Sequence, residues 1–293
     1  MVAGNLLAQW RRDAQSKAIA AGISPAEVDW LLQEVAGLDR LALRLESFST
    51  TSLPVSLAEL NTLWEKRLLS RVPVQYLVGR CHWRRFSLEV SPDVLIPRPE
   101  TEEIVELAFA AAQNSPTPHL DTGIWVDLGT GSGAIAIGLA DILTNAQIYA
   151  VDLSASALNL AKKNATNLGF EERINFSQGS WWEPLSHLQG KVAGIVSNPP
   201  YIPTLTLPQL QPEVVQHEPH LALDGGKDGL ASIRYLVQSS PQYLVSGGVW
   251  LIEMMAGQAE EVTHLLQQQG SYSNMQIFPD LAGIERFALA YRC

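Results

Sequence analysis

The chain has 293 residues, of which 46% are hydrophobic, enough to bury the cores of two domains. Its formal net charge of -10 disfavours a broad, non-specific hold on nucleic acid, because phosphate binding depends on Lys and Arg. Cys81 and Cys293 lie far apart without metal-ligand spacing, and no apolar run has the length of a signal peptide or a membrane span, so we predict a cytoplasmic protein that stays off membranes.

The first 75 residues show the spacing of amphipathic helices. Residues 24–27 (SPAE) combine a capping serine, a first-turn proline and the glutamate of a capping box, and residues 56–59 (SLAE) repeat the device. Apolar side chains then recur at helical intervals after each start. We predict a small helical-bundle domain over residues 1–75, with polar loops around residues 47–56.

Residues 76–100 predict a β-hairpin linker. Extended chain is expected from residue 75 to residue 96, where apolar and polar side chains alternate. Prolines 97 and 99 then stiffen the entry to the next helix. We favour this structural interpretation over a role for Arg98 or Glu100 at the rim of a site.

From residue 101 to residue 293, strand-like and helix-like runs alternate, which predicts a mainly parallel sheet with helices on both faces. The predicted strands are 124–128, 148–151, 174–176, 192–196, 249–252, 275–278 and 287–290. Helices that end before glycine are predicted at 155–168, 230–245 and 258–269. The short connection through Gly283 permits the last two strands to pair in an antiparallel way. The fold class is therefore α/β, with a doubly wound, seven-stranded sheet.

Two polar features follow the first two strands of this region. Residues 127–134 (DLGTGSGA) place glycines at alternate positions before a helix, so the backbone can approach a ligand closely and the helix N-terminus offers donors. Asp152 ends the next strand, where a carboxylate can accept both hydrogen bonds from a ribose diol. Together they predict a nucleoside cofactor, without separating a dinucleotide from another adenosine compound.

A proline-stiffened turn, residues 197–201 (SNPPY), follows the strand at 192–196. Two consecutive prolines fix φ and remove two N–H donors, so the strand cannot continue. Asn198 then offers an amide, the turn offers carbonyls, and Tyr201 offers an aromatic face. Such a turn is suited to gripping a planar nitrogen; the structural alternative is that Asn198 only caps the turn.

Residues 127–136, 151–152 and 197–202 together resemble class I S-adenosylmethionine methyltransferases that modify planar nitrogens. Further segments resemble one family of them, the release-factor glutamine N5-methyltransferases (PrmC/HemK): residues 75–79, 95–102, 218–219, 222–223, 225–226 and 228–230. The resemblance covers residues 20–292. It implies a Rossmann-like methyltransferase domain over residues 101–293 and an N-terminal domain that recognises class 1 peptide chain release factors.

The resemblance also implies site residues. The implied cofactor-binding residues are Gly129, Thr130, Gly131, Ser132, Gly133, Asp152 for the ribose, Trp181 for the adenine, and Asn198. The implied substrate-binding residues, which would hold the glutamine of a Gly-Gly-Gln loop, are Asn198, Pro199, Pro200 and Tyr201. The implied product is S-adenosyl-L-homocysteine. Where the family often has an acid before the aromatic this chain has Ser180, and we assign no role to Glu253.

The chemistry fits these residues. An amide nitrogen is a poor nucleophile, because its lone pair is delocalised into the carbonyl. We expect the Asn198 side-chain oxygen and the Pro199 carbonyl each to accept one substrate N–H, which favours charge on nitrogen in the transition state. Tyr201 is expected to pack on the amide plane beside the cationic centre. The remaining rate acceleration is expected from the proximity and alignment of the two bound reactants, and no general base is required.

Two other functions are open to the sequence. An adenine-N6 nucleic-acid methyltransferase also grips a planar nitrogen, but the acidic composition disfavours it. A non-catalytic protein that binds release factors or ribosomes through residues 1–90 is disfavoured by the intact glycine loop, Asp152 and Asn198. Residues 217–220 (HEPH) lack zinc-ligand spacing, so no metal is expected. We expect a monomer without stable nucleic-acid binding.

Overall fold

The structure is a computed structural model that describes residues 4–46, 48 and 54–293. It divides into two compact units, Met1–Arg80 with Gln211–His217, and Cys81–Leu210 with Glu218–Cys293. The domain boundaries predicted at residues 75 and 100 stay predictions. Most of the loop predicted around residues 47–56 lies outside the described residues.

Helices and strands alternate along most of the chain. The α-helices are α1 (Gly4–Ala20), α2 (Ala26–Ala36), α3 (Arg40–Leu45), α4 (Leu57–Leu69), α5 (Val74–Val78), α6 (Glu103–Asn114), α7 (Ala134–Ile142), α8 (Ala155–Leu168), α9 (Pro212–His217), α10 (Ala231–Ser239) and α11 (Ala259–Gln269). The strands are β1 (Arg80–Trp83), β2 (Phe86–Glu89), β3 (Ile124–Leu128), β4 (Gln147–Asp152), β5 (Ile174–Gln178), β6 (Val192–Ser197), β7 (Leu244–Glu253), β8 (Tyr272–Pro279) and β9 (Glu285–Arg292). None of the helices in the described ranges has both the length and the apolar character needed to span a bilayer.

The first unit is helical, and the two predicted capping boxes have different outcomes. At α4 the box forms: Ser56 Oγ accepts the Glu59 N–H at 3.2 Å, and Glu59 Oε2 accepts the Ser56 N–H at 2.7 Å. At α2 the helix begins after Pro25 as predicted, but the capping box does not form, so that part of the prediction at residues 24–27 is wrong. Glu27 instead accepts from the guanidinium of Arg67, which is only 4% exposed and needs a carboxylate partner.

The hairpin segment differs from the prediction at its start. Residues 75–78 belong to helix α5 rather than to extended chain, and Gly79 ends that helix in the left-handed conformation at φ 77°. Strands β1 and β2 then pair as a two-stranded sheet. Short apolar runs such as residues 74–78 fit a helical turn and a strand equally well, so periodicity alone could not decide.

The second unit contains a seven-stranded sheet in the order β5-β4-β3-β6-β7-β9-β8. Strands β3 to β7 are parallel to one another, whereas β9 is antiparallel to both β7 and β8. The predicted α/β class, all seven strands and the antiparallel final pair are confirmed. The chain order reverses between β3 and β6, which is where open α/β sheets bind ligands beyond the carboxyl ends of their strands.

Helix α10 is shorter than predicted. It ends at Ser239, and a 3-10 turn over Ser240–Gln242 leads into β7 at Leu244. Pro241 has no N–H for a continuing helix, which explains the early end. Gly247 and Gly248 therefore lie within β7 and do not close a helix, and the β6–β7 register shifts beside them.

Gly194 on β6 packs closely against Trp125, its register partner on β3. A Cβ at position 194 would lie 2.4 Å from the Trp125 ring. Gly194→Ala is therefore expected to lower the free energy of unfolding by about 1–3 kcal/mol. Trp125→Phe replaces the large ring by a smaller one and should relieve this clash. In a double-mutant cycle measured by chemical denaturation, the double variant should therefore be more stable than the sum of the two single effects predicts. Strict additivity would contradict this account.

Candidate active site

A cavity of about 320 Å³ lies in the second unit, beyond the carboxyl ends of β3, β4 and β6. This volume is within the range of small-molecule sites. The predicted site residues that line it are Gly129, Thr130, Gly131, Ser132, Asp152, Trp181, Asn198 and Pro200. Gly133, Pro199 and Tyr201 are not among its lining residues. The structure thus brings together residues from four separate segments of the chain.

The glycine loop is held in place by backbone and side-chain bonds. The N–H groups of Gly129 and Thr130 both donate to the Val151 carbonyl at 2.9 Å. Below the loop, Asp127 Oδ2 accepts from Thr130 Oγ1 at 2.6 Å and from the Ala136 N–H at 3.0 Å. Asp127 is fully buried, and burial raises its pKa to about 7. The loop conformation is therefore fixed by the protein itself.

Asp152 joins the loop to the end of β4. Its Oδ2 accepts the Gly131 N–H and its Oδ1 accepts the Ser154 N–H, each at 2.8 Å. Burial raises the pKa of this carboxyl. A carboxylate has about four acceptor positions, so the backbone bonds leave room for ligand hydroxyls. The geometry suits a ribose diol.

The two adjacent tryptophans have different environments. Trp182 is buried and stacks on Tyr243 with ring centroids 4.1 Å apart, so it belongs to the core. Trp181 is half-buried, lines the cavity and has the left-handed φ of 50°. A Cβ at Gly129 would lie 3.8 Å from its ring. Trp181 and the glycine loop thus form neighbouring walls of the cavity.

The turn at residues 197–201 is fixed at both ends. Ser197 Oγ donates to the Leu128 carbonyl at 2.5 Å, which ties β6 to β3. Asn198 is half-buried, and its Nδ2 donates to Thr101 Oγ1 at 3.3 Å. Tyr201 donates from its hydroxyl to Glu253 Oε1 at 2.9 Å. Burial of the Tyr201 hydroxyl raises its pKa, and the negative charge of Glu253 raises it further. The hydroxyl therefore keeps its proton.

Sequence reasoning missed three side chains near this turn. Arg98 and Thr101 line the cavity, so the interpretation of residues 97–102 as a rigid helix entry alone is incomplete. Arg98 Nη2 donates to both carboxylate oxygens of Glu218, at 2.8 and 2.7 Å. Glu253, to which no role was assigned, accepts from Thr101 Oγ1 through Oε2 at 2.6 Å. Its place at the end of β7, beside β6, was the available signal.

Comparisons with known proteins agree with this geometry. Residues 121–272 match the model of a methyltransferase domain, and residues 9–79 match that of the PrmC N-terminal domain. A "Release factor glutamine methyltransferase" of Synechocystis sp. is 50% identical over 99% of this chain and 97% of its own length. The protein of that name from Thermosynechococcus vestitus is 44% identical over 99% of both chains.

Solved structures support the fold alone. The hMettl16 catalytic domain, in complex with MAT2A 3'UTR hairpin 6, has a TM-score of 0.57 at 15% identity and covers 82% of this chain and 84% of its own. A human methyltransferase 10 domain containing protein has a TM-score of 0.51 at 17% identity, covering 70% of this chain and 88% of its own. The shared element is the α/β sheet.

Proposed function

Because the chain belongs to the family of release factor glutamine methyltransferases, we propose that the cavity beside Asn198 is where it transfers the methyl group. The chain is an S-adenosylmethionine-dependent enzyme whose substrate is a glutamine side chain of peptide chain release factors. Neither alternative function, the adenine-N6 enzyme or the non-catalytic binding protein, is supported. The observation that carries the proposal is that the glycine loop, Asp152 and Asn198 line one cavity.

The residues on the β3 and β4 side of the cavity fit the cofactor. When bound, S-adenosylmethionine supplies an electrophilic methyl group on its sulfonium, and the product is S-adenosyl-L-homocysteine. The backbone of residues 129–133 would hold the methionine and ribose part, since its glycines leave room for close approach. Asp152 would accept from the ribose hydroxyls through its remaining lone pairs, and the Trp181 ring would pack on the adenine.

The residues on the β6 side would hold the substrate amide. Because Asn198 Nδ2 already donates to Thr101, the Asn198 oxygen is the end of the side chain left to accept a glutamine N–H. The Pro199 carbonyl is proposed as the second acceptor. Accepting both N–H groups localises electron density on nitrogen as the bond to carbon forms, so the contacts strengthen in the transition state.

The proposed role of Tyr201 is a wall beside the amide. What supports it is position, since Tyr201 follows Pro200, which lines the cavity. Its hydroxyl is committed to Glu253, so the ring rather than the hydroxyl would meet the substrate. No side chain needs to take the proton before transfer, because the methylated amide nitrogen is far more acidic than the starting amide.

Incubation with radiolabelled S-adenosylmethionine tests the proposal. A class 1 release factor should become labelled, whereas duplex DNA should not. A release factor with alanine in place of the glutamine of its Gly-Gly-Gln motif is the matched control and should stay unlabelled. Label on DNA alone, or equal label on the alanine-substituted factor, would contradict the proposed function.

A further inference from the structure

A buried carboxylate lies behind the Asn198 turn. Glu253 ends β7, is fully buried, and accepts one hydroxyl on each oxygen: Thr101 on Oε2 at 2.6 Å and Tyr201 on Oε1 at 2.9 Å. Thr101 in turn accepts from Asn198 Nδ2 at 3.3 Å. The three bonds form one chain that connects β7, the helix entry at residues 100–102 and both ends of the turn.

The direction of this chain follows from the donors and acceptors. An ionised carboxylate can only accept hydrogen bonds, so the Thr101 hydroxyl must be the donor in its hydrogen bond with Glu253. The Thr101 oxygen is then left with lone pairs alone and can bond only the NH₂ end of the Asn198 amide. Asn198 Oδ1, at the opposite end, is therefore the atom left for a ligand. Without such a constraint, an asparagine amide can rotate to present either end.

We propose that Thr101 and Glu253 are positioning residues, which fix the Asn198 amide with its oxygen towards the substrate glutamine. This inference rests on the proposed function of Asn198 as an acceptor. If the amide were reversed, its NH₂ group would meet the substrate NH₂ group, donor against donor, and the contact that favours charge on nitrogen would be lost. Tyr201 holds the second carboxylate oxygen and so keeps Glu253 in place.

The charge state of Glu253 links this arrangement to pH. The charged and titratable groups that act on it are Tyr201, Glu100, which disfavours ionisation, and Arg286, which favours it. Burial has the largest effect and raises the pKa of Glu253 to about 6. Above this pH the carboxylate accepts from Thr101. Below it, the protonated acid can donate to Thr101, the Thr101 proton is free to turn towards Asn198, and the amide orientation is no longer fixed.

Thr101→Val tests the positioning role directly, since valine keeps the shape of the side chain and removes its hydroxyl. We expect kcat for release factor methylation to fall about 10- to 100-fold, while the Kd for S-adenosylmethionine and the melting temperature stay close to wild type. Thr101→Ser keeps a hydroxyl and should restore most of the rate. Thr263→Val is the matched control, because among the described residues the Thr263 hydroxyl bonds only the Ala259 carbonyl within α11.

The pH profile of kcat supplies a second readout that a merely structural role would not change. Wild type should lose activity on acidification with a midpoint near pH 6, the pKa of Glu253. At saturating S-adenosylmethionine, Glu253→Gln should lose the component with this midpoint, because glutamine cannot titrate, and should have a lower kcat at slightly alkaline pH. Any effect of Asp127, whose pKa is about 7, is common to both proteins. If Thr101→Val fails to fold, the two pH profiles decide.

The outcomes separate the two proposals. Wild type that methylates the release factor, together with Thr101→Val at wild-type kcat, overturns the positioning role and leaves the proposed function intact. A component with a midpoint near pH 6 that is the same in wild type and in Glu253→Gln likewise overturns it. Wild type that leaves the release factor unmethylated contradicts the proposed function itself.

Discussion

Asn198→Ala is expected to lower kcat for release factor methylation by about 100- to 1000-fold, the cost of removing one group that stabilises developing charge. Alanine cannot accept the substrate N–H, and it also leaves Thr101 without its amide partner. The affinity for S-adenosylmethionine should change little, since Asp152 and the glycine loop stay in place. Steady-state kinetics on a release factor, with calorimetry for the cofactor, measures both quantities.

Asn167→Ala is the matched control for this variant. Asn167 lies on α8 and donates to Glu89 Oε1 at 3.0 Å at the surface, so its loss should leave kcat unchanged. Because Thr101 is proposed to act through the Asn198 amide, adding Thr101→Val to Asn198→Ala should cause almost no further loss of kcat. Undiminished methylation by Asn198→Ala would contradict the role assigned to the turn.

Asp152→Ala is expected to weaken S-adenosylmethionine binding about 100-fold. Hydrogen bonds to a charged acceptor contribute about 1.5–3 kcal/mol each, so losing two from a ribose diol, partly replaced by water, amounts to roughly 3 kcal/mol. The loop also loses the acceptor of the Gly131 N–H. Asp152→Asn should be nearly as weak, because its NH₂ group would meet a backbone N–H. Isothermal titration with the cofactor gives the Kd.

Asp121→Ala serves as the control, because the side chain of Asp121 accepts from Gln113 Nε2 at 3.2 Å in an exposed pair. Its Kd for the cofactor should equal that of wild type. A Kd within about twofold of wild type for Asp152→Ala, in a protein with an unchanged melting temperature, would rule out the proposed ribose contact.

Much of the fold could be predicted because buried parallel strands read as short, continuous apolar runs. Residues 192–196 are an example, since all of them are buried in β6. The errors came where local patterns had two physical solutions. Residues 75–78 were compatible with helix and strand, and Gly247-Gly248 resembled a helix end although the strand had already begun. Glu27 had a capping position but pairs with Arg67 instead.

The cavity residues that the sequence indicated share one property. Gly129 and Asn198 each follow a strand and Asp152 ends one, and parallel strands bring their carboxyl ends to one edge of the sheet. The sequence did not indicate Thr101 and Glu253, because they are 152 residues apart in the chain and their hydrogen bond depends on tertiary packing. A threonine in a proline-rich helix entry carries no sign of its partner, whereas a glutamate at the end of β7 can be found by its place in the sheet.

The most direct test of the account is tandem mass spectrometry of a release factor after incubation with S-adenosylmethionine and either wild type or Asn198→Ala. The account predicts a single methyl group on the side-chain nitrogen of the glutamine in the Gly-Gly-Gln motif with wild type, and almost none with Asn198→Ala over the same time. A methyl group on a different residue, or equal glutamine methylation by the two proteins, would contradict it.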